Sequence, residues 1–189
     1  QRQGYNILIT GSNSKLLSKE LATHLTGRYI AIDLAPFSFQ EFLRAKQISW
    51  SPDHFHRTTD VASLIASLEE YSRVGGFPDM VLDGYNGSYL RELYDKIISR
   101  DITYRYHIKF STTLKEIALH GHANLGCKIS FNKVKNIFDI NSVHTVKNYL
   151  QYLTDAYLIC LLNSFSFKNK EKIKQPKKIY TIDNGLSAS

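Results

Sequence analysis

Lysine recurs at every second position through Lys168, Lys170, Lys172 and Lys174, and Lys177 and Lys178 follow. Such a run can set ammonium groups against a row of phosphates or into a minor groove. Upstream, Asn141, Ser142, His144, Thr145, Lys147, Asn148 and Gln151 share one face of a helical segment. Its other face carries Val143, Val146, Tyr149, Leu150, Leu153 and Tyr157. Amide, hydroxyl and ammonium donors on one face of a helix are what the reading of phosphates and base edges requires. Thr145, Lys147, Asn148, Gln151, Lys168, Lys170 and Lys172 are therefore the candidate DNA-binding residues, with duplex DNA as the expected partner. Two alternatives stand beside this one. The helical block can serve protein contacts, and a lysine-rich hairpin can be a solvated edge that discourages strand pairing.

Other reactive residue types are arranged less productively. The pairs His54/His56 and His120/His122 have no cysteine or acidic companion at zinc-like spacing, so no metal site is expected. Cys127 and Cys160 have no histidine and asparagine arranged around them, and read as small apolar fillers. Two cysteines are too few for a disulfide scaffold and suit a reducing cytoplasm, the expected location. No apolar run approaches the roughly 20 residues that span a bilayer, so no membrane is expected among the partners.

Charge is divided unevenly along the 189 residues. Residues 1–87 carry a net −1 and residues 88–189 a net +8. The split suggests two functional units, the second with an anionic partner. Hydrophobic residues at 43% and charged residues at 22% exclude a largely disordered chain.

The elements that must position these residues can be read from periodicity. Residues 7–10 and 29–34 are short β-branched runs that read as buried strands of a parallel sheet, with a helix between them. Ser38 followed by Glu41 is a capping box opening a helix. Helices are expected at 61–72, 88–107, 112–119, 130–137 and 142–158, and strands at 161–167 and 177–182. Three helices followed by a basic hairpin is the order of a winged helix-turn-helix. Gly75-Gly76-Phe77-Pro78 breaks the chain between two helical stretches.

Several stretches also carry a family resemblance. They are residues 7–12 followed by a helix, Leu25-Thr26-Gly27-Arg28, the segment from Leu34 to Phe42, Gly75-Gly76-Phe77-Pro78 and Arg100-Asp101. The series continues through residues 149–153, Lys178-Ile179-Tyr180 and Asp183-Asn184-Gly185-Leu186. In this order they resemble the prokaryotic AAA-type P-loop ATPases that join an AAA core to a winged-helix region and a nuclease-like domain of unknown function. The resemblance implies an α/β remnant of a P-loop ATPase core at 1–50, a mainly α helical lid at 51–87, and at 88–189 a winged-helix domain with the start of a C-terminal domain. It implies ATP binding and hydrolysis coupled to a DNA- or partner-binding domain. The competing expectation is a non-catalytic winged-helix DNA-binding or regulatory module.

The resemblance assigns roles to particular residues. Thr10, at the end of a central strand, would orient the attacking water or read the γ-phosphate, with Ser12 and Asn13 beside it at the nucleotide. Arg28 would present its guanidinium to a nucleotide in the neighbouring subunit of a homo-oligomer. Gly76 and Pro78 would approach the adenine. The plainer alternatives are an ordinary strand end at Thr10, a surface arginine paired with Asp33 or Glu41, and a helix-terminating turn at Gly75–Pro78. No G-x-x-x-x-G-K-[ST] phosphate loop and no apolar strand ending in paired acids occurs in the sequence. The chain lacks an initiator methionine and reads as a fragment. ATP and Mg²⁺ are expected only in a full-length protein, and this chain alone is expected to be inactive.

Overall fold

The computed structural model describes residues 7–10, 30, 32–51, 57–84, 87–168 and 175–188. Residues 1–34 and 35–189 form separate units. Among the described residues of the first unit, 7–10, 30 and 32–34 are irregular and exposed and show none of the expected strand pairing, while residues 29 and 31 and the helix expected between the strands lie outside the described residues. A parallel strand buries both faces and hydrogen-bonds along its edges. Among the described residues these segments have no such neighbour, and the observed sheet lies wholly in the second unit.

The second unit opens with α1 (Phe39–Ala45). Ser38 Oγ accepts from the Glu41 N–H at 3.4 Å, and the Glu41 carboxylate accepts from the Ser38 N–H at 2.8 Å. Both halves of the capping box are present, as the sequence suggests. Helix α1 sets Phe42 and Leu43 against Leu64, Tyr71 and Val81, with the Phe42 and Tyr71 rings edge to face at 5.3 Å. Helix α2 (Thr58–Val74) ends at Gly75, and α3 (Pro78–Leu82) has proline in its first turn, where no N–H is needed. Helix α4 (Gly87–Lys96) continues as π-helical turns over Ile97–Tyr104. Leu90, Tyr94, Ile98 and Ile102 recur every four residues, which drifts about 40° per step around a regular α-helix. Wider turns hold Ile98 and Ile102 on the core side, where both are fully buried.

The remaining elements mix helices and strands. They are α5 (Ser111–Ala123), β1 (Lys128–Ile129), α6 (Phe131–Ile137), α7 (Val143–Asp155), β2 (Ile159–Leu162), β3 (Lys177–Thr181) and α8 (Gly185–Ala188). The three strands form one antiparallel sheet in the order β1–β3–β2. Lys178 pairs with Lys128 on one side and Leu162 on the other, and Ile179 pairs with Leu161. Leu114, Ile117, Val134, Val146, Leu150, Leu153, Ile159 and Ile179 share one core beneath this sheet. The second unit is thus mainly helical with a small antiparallel sheet.

Two expectations shift here. The strand read at 161–167 lies at 159–162, because β3 offers partners only to those residues. Cys127 and Cys160 are exposed and do not fill the core. Cys160 alternates with buried Ile159 along β2 and faces Tyr180 across the sheet's outer side.

Candidate functional site

Helix α7 is built as its residue pattern requires. Ser142 caps it by accepting from the His144 N–H at 3.1 Å. Val146, Tyr149, Leu150 and Leu153 are buried, while His144, Lys147 and Gln151 are exposed and Thr145 and Asn148 half-buried. The candidate contact residues of this helix therefore share its outer side. Two are already engaged: Lys147 Nζ lies 5.8 Å from the centre of the Phe131 ring on α6, and Gln151 Nε2 donates to Asp155 Oδ1 at 2.9 Å. These contacts fix the two side chains at the surface and reduce the entropy lost on meeting a ligand. Lys168 is exposed beyond β2, whereas Lys170 and Lys172 lie outside the described residues.

Three motifs that are far apart in sequence meet at Gly75–Gly76. The Gly76 N–H donates to Asp183 Oδ2 at 2.6 Å, and the Gly185 N–H donates to Asp183 Oδ1 at 2.8 Å. The Leu186 N–H is a third donor to this carboxylate. On the other side, the Phe37 N–H donates to the Gly76 carbonyl at 2.7 Å, and the Phe37 carbonyl accepts from Tyr71 Oη at 2.7 Å. A Cβ on Gly76 would overlap the Phe37 carbonyl oxygen, and one on Gly75, at φ +81°, would overlap Asp183 Oδ1. Only glycine fits at either position. Asp183 is 4% exposed. Burial pushes its carboxyl above the usual carboxylate range, against the three N–H donors, which pull it down.

This clamp bears on the expected nucleotide contacts. The backbone of Gly76 is occupied on both sides by the chain's own groups, while Pro78 is exposed. Thr10 is exposed in the first unit, and Ser12, Asn13 and Arg28 lie outside the described residues. Among the described residues, no three acidic, histidine or cysteine side chains are grouped to hold a metal ion. The sequence contains no G-x-x-x-x-G-K-[ST] phosphate loop.

The part of Asp183 was hidden from sequence reasoning, since its partners lie up to 107 residues away. Phe165 and Phe167 were also missed as surface features. Their alternation with Ser164 and Ser166 reads as a half-buried strand, yet both rings are exposed.

His122 on α5 makes a further, partly buried contact. Its Nδ1 lies 3.0 Å from Ser187 Oγ on α8, and its ring meets Tyr94 edge to face at 5.6 Å. Among the described residues its Nε2 has no hydrogen-bonding partner. Burial lowers its pKa from the ordinary 6.5. As pH falls below that value, the unfolded chain binds more protons than the folded one, so stability is lost down to the lowered folded value. Thermal unfolding across this window should show a falling midpoint, and His122→Phe should flatten that part of the profile. An unchanged profile in the variant would assign the loss to other groups.

Comparison with known proteins places this architecture. The profile of the domain of unknown function DUF8612 matches residues 65–189. The chain belongs to the DUF8612 family. The DUF8612 region holds everything from the second half of α2 to α8, including the Gly75–Asp183 clamp. An AAA domain profile matches residues 1–43, so the DUF8612 region follows a segment similar to part of an AAA domain. The chain is 39% identical over 190 residues to the uncharacterized protein MJ1544 of Methanocaldococcus jannaschii, covering 95% of this chain and 42% of that protein. It is 35% identical over 187 residues to an uncharacterized protein of Haemophilus influenzae, covering 96% of this chain and 44% of the relative. The chain thus spans less than half the length of these relatives. No solved structure matches it. Among the described residues, no helix is long and apolar enough to cross a membrane.

Proposed function

We propose that this DUF8612 chain is the distal part of an AAA-type ATPase, and that residues 111–181 form a winged-helix module that contacts DNA. The observation that carries this reading is the element order helix, strand, helix, helix, strand, strand, closed by the β1–β3–β2 sheet. In that arrangement α7 takes the place of the recognition helix, and the connection between β2 and β3 takes the place of the wing. The net +8 on residues 88–189 supports a polyanionic partner. The match of residues 1–43 to an AAA domain supports the ATPase connection.

In this reading ATP and Mg²⁺ are held chiefly by other parts of a longer protein in a homo-oligomer. Thr10, Ser12 and Asn13 approach the nucleotide, and Arg28 reaches the nucleotide of a neighbouring subunit. Nucleotide turnover then repositions the DNA-binding module.

Salt dependence tests the DNA contact. Each phosphate contact releases condensed counterions, so log K falls with log salt at roughly −0.9 per contact. Replacing Lys168, Lys170 and Lys172 together should make the slope shallower by about 2 to 3 units. Asn148→Ala or Gln151→Ala should instead change sequence preference at a nearly constant slope. The measurement is fluorescence anisotropy at several salt concentrations. Absence of binding at low salt overturns the reading; an identical slope in the triple variant removes the three lysines from it.

A further inference from the structure

Phe165 and Phe167 stand in solvent just past β2, 83% and 95% exposed. Their rings meet edge to face with centroids 5.0 Å apart, so the two side chains form one aromatic knob. Ser164 Oγ donates to the Gln175 side chain, which ties the base of this segment to the residues leading into β3. Lys168 follows the knob directly, and Lys178 is exposed on the paired strand. Two phenyl rings left in solvent, with lysine next in the sequence, make an apolar and basic feature that suits a ligand surface. They match a ligand that carries both flat apolar faces and negative charge.

We propose that Phe165 and Phe167 form a wedge for unstacked nucleobases, so that the module prefers DNA at a locally opened duplex over intact duplex. The proposal rests on the DNA-binding reading above and names its substrate class. Base faces stack on aromatic rings without regard to sequence, while neighbouring lysines hold the backbone. An anionic lipid surface would also accept phenylalanine and lysine. It would give no use to the Thr145, Asn148 and Gln151 side of α7, whose hydroxyl and amides suit base edges.

The test uses the full chain and three labelled DNAs of one sequence: intact duplex, the same duplex with a central unpaired bubble, and single strand. Wild type should bind the bubble more tightly than the intact duplex. The double variant Phe165→Ala, Phe167→Ala should lose about 10-fold or more on the bubble, the scale of base–aromatic stacking, and little on the intact duplex. Its salt slope should match wild type, because no phosphate contact is removed. The Phe165→Leu, Phe167→Leu variant keeps apolar bulk without a ring face and should lose binding similarly. Circular dichroism checks that both variants fold, as substitutions at exposed positions should.

Equal affinity of wild type for bubble and duplex overturns the wedge, as does full binding by the double alanine variant. In either case the lysine-dependent DNA reading survives. Failure to bind any of the three DNAs overturns both readings. Phenylalanine-dependent sedimentation with phosphatidylserine vesicles would in that event reassign the knob to a membrane surface.

Discussion

Gly76→Ala is expected to destabilise the second unit by about 3 kcal/mol or more. The added methyl meets the Phe37 carbonyl oxygen and lies 2.9 Å from the Phe37 nitrogen. Phe37 cannot yield cheaply, because its N–H is held by Gly76 and its carbonyl by Tyr71. Asp183→Ala should cost a similar amount, since it strips the acceptor from three backbone N–H groups at about 1 kcal/mol or more each. Asp183→Asn should fall between wild type and alanine. Both carboxylate oxygens accept hydrogen bonds, so an amide turns one acceptor into a donor facing a donor. Part of that loss is offset, because the folded pKa is raised above 3.8. The carboxyl's titration favours folding below 3.8, and that contribution is lost as pH rises through the raised value, so a neutral amide avoids it. Denaturant unfolding of the four proteins gives the order directly. Alanine at either position with an unchanged midpoint would dismiss the clamp as incidental.

On the proposed ATPase reading, Arg28→Ala in the full-length protein should leave nucleotide affinity intact and lower ATP hydrolysis by about 10³-fold or more, the scale on which an arginine supplied to a transferred phosphoryl group acts. Arg28→Lys should recover little, because an ammonium cannot span two oxygens as a guanidinium does. Mixing Arg28→Ala subunits with a hydrolysis-dead, arginine-intact variant separates the two routes: recovered turnover means action across an interface, and none means action within one subunit. Unchanged turnover in Arg28→Ala would dismiss that role for the residue. Nucleotide affinity is measured alongside, so that lost binding is not mistaken for lost chemistry.

What the sequence made legible was local. Ser38 with Glu41 announces a helix start within four residues, and that cap is found; the cap by Ser142, read only as an outer-face donor, was not foreseen. The polar side of α7 followed from the spacing of Val146, Tyr149, Leu150 and Leu153. Strands were less legible, because a strand ends where its partner ends. Leu161 through Phe167 alternate well enough, but β3 pairs only as far as Leu162, and Phe165 and Phe167 emerge into solvent. Residues 7–9 have the composition of a buried strand and no sheet neighbour among the described residues. The two glycines at 75 and 76 were visible as a chain break. Their reason is Asp183 on one side and Phe37 on the other, and no periodicity over neighbouring residues encodes contacts of that span.

Phe37 and Asp183 lie near opposite ends of the second unit, and both close on Gly75–Gly76. Bringing such distant segments together carries a chain-closure entropy that local helix pairing does not. Contacts of this kind reward folding only after the elements between them are in place. The clamp is therefore expected to act as a late-forming latch, closing after the folding transition state, and φ-values near zero for Gly76 and Asp183 variants would check it. Its strength governs how long a folded molecule persists before it opens, while the rate of folding is left to the helices between.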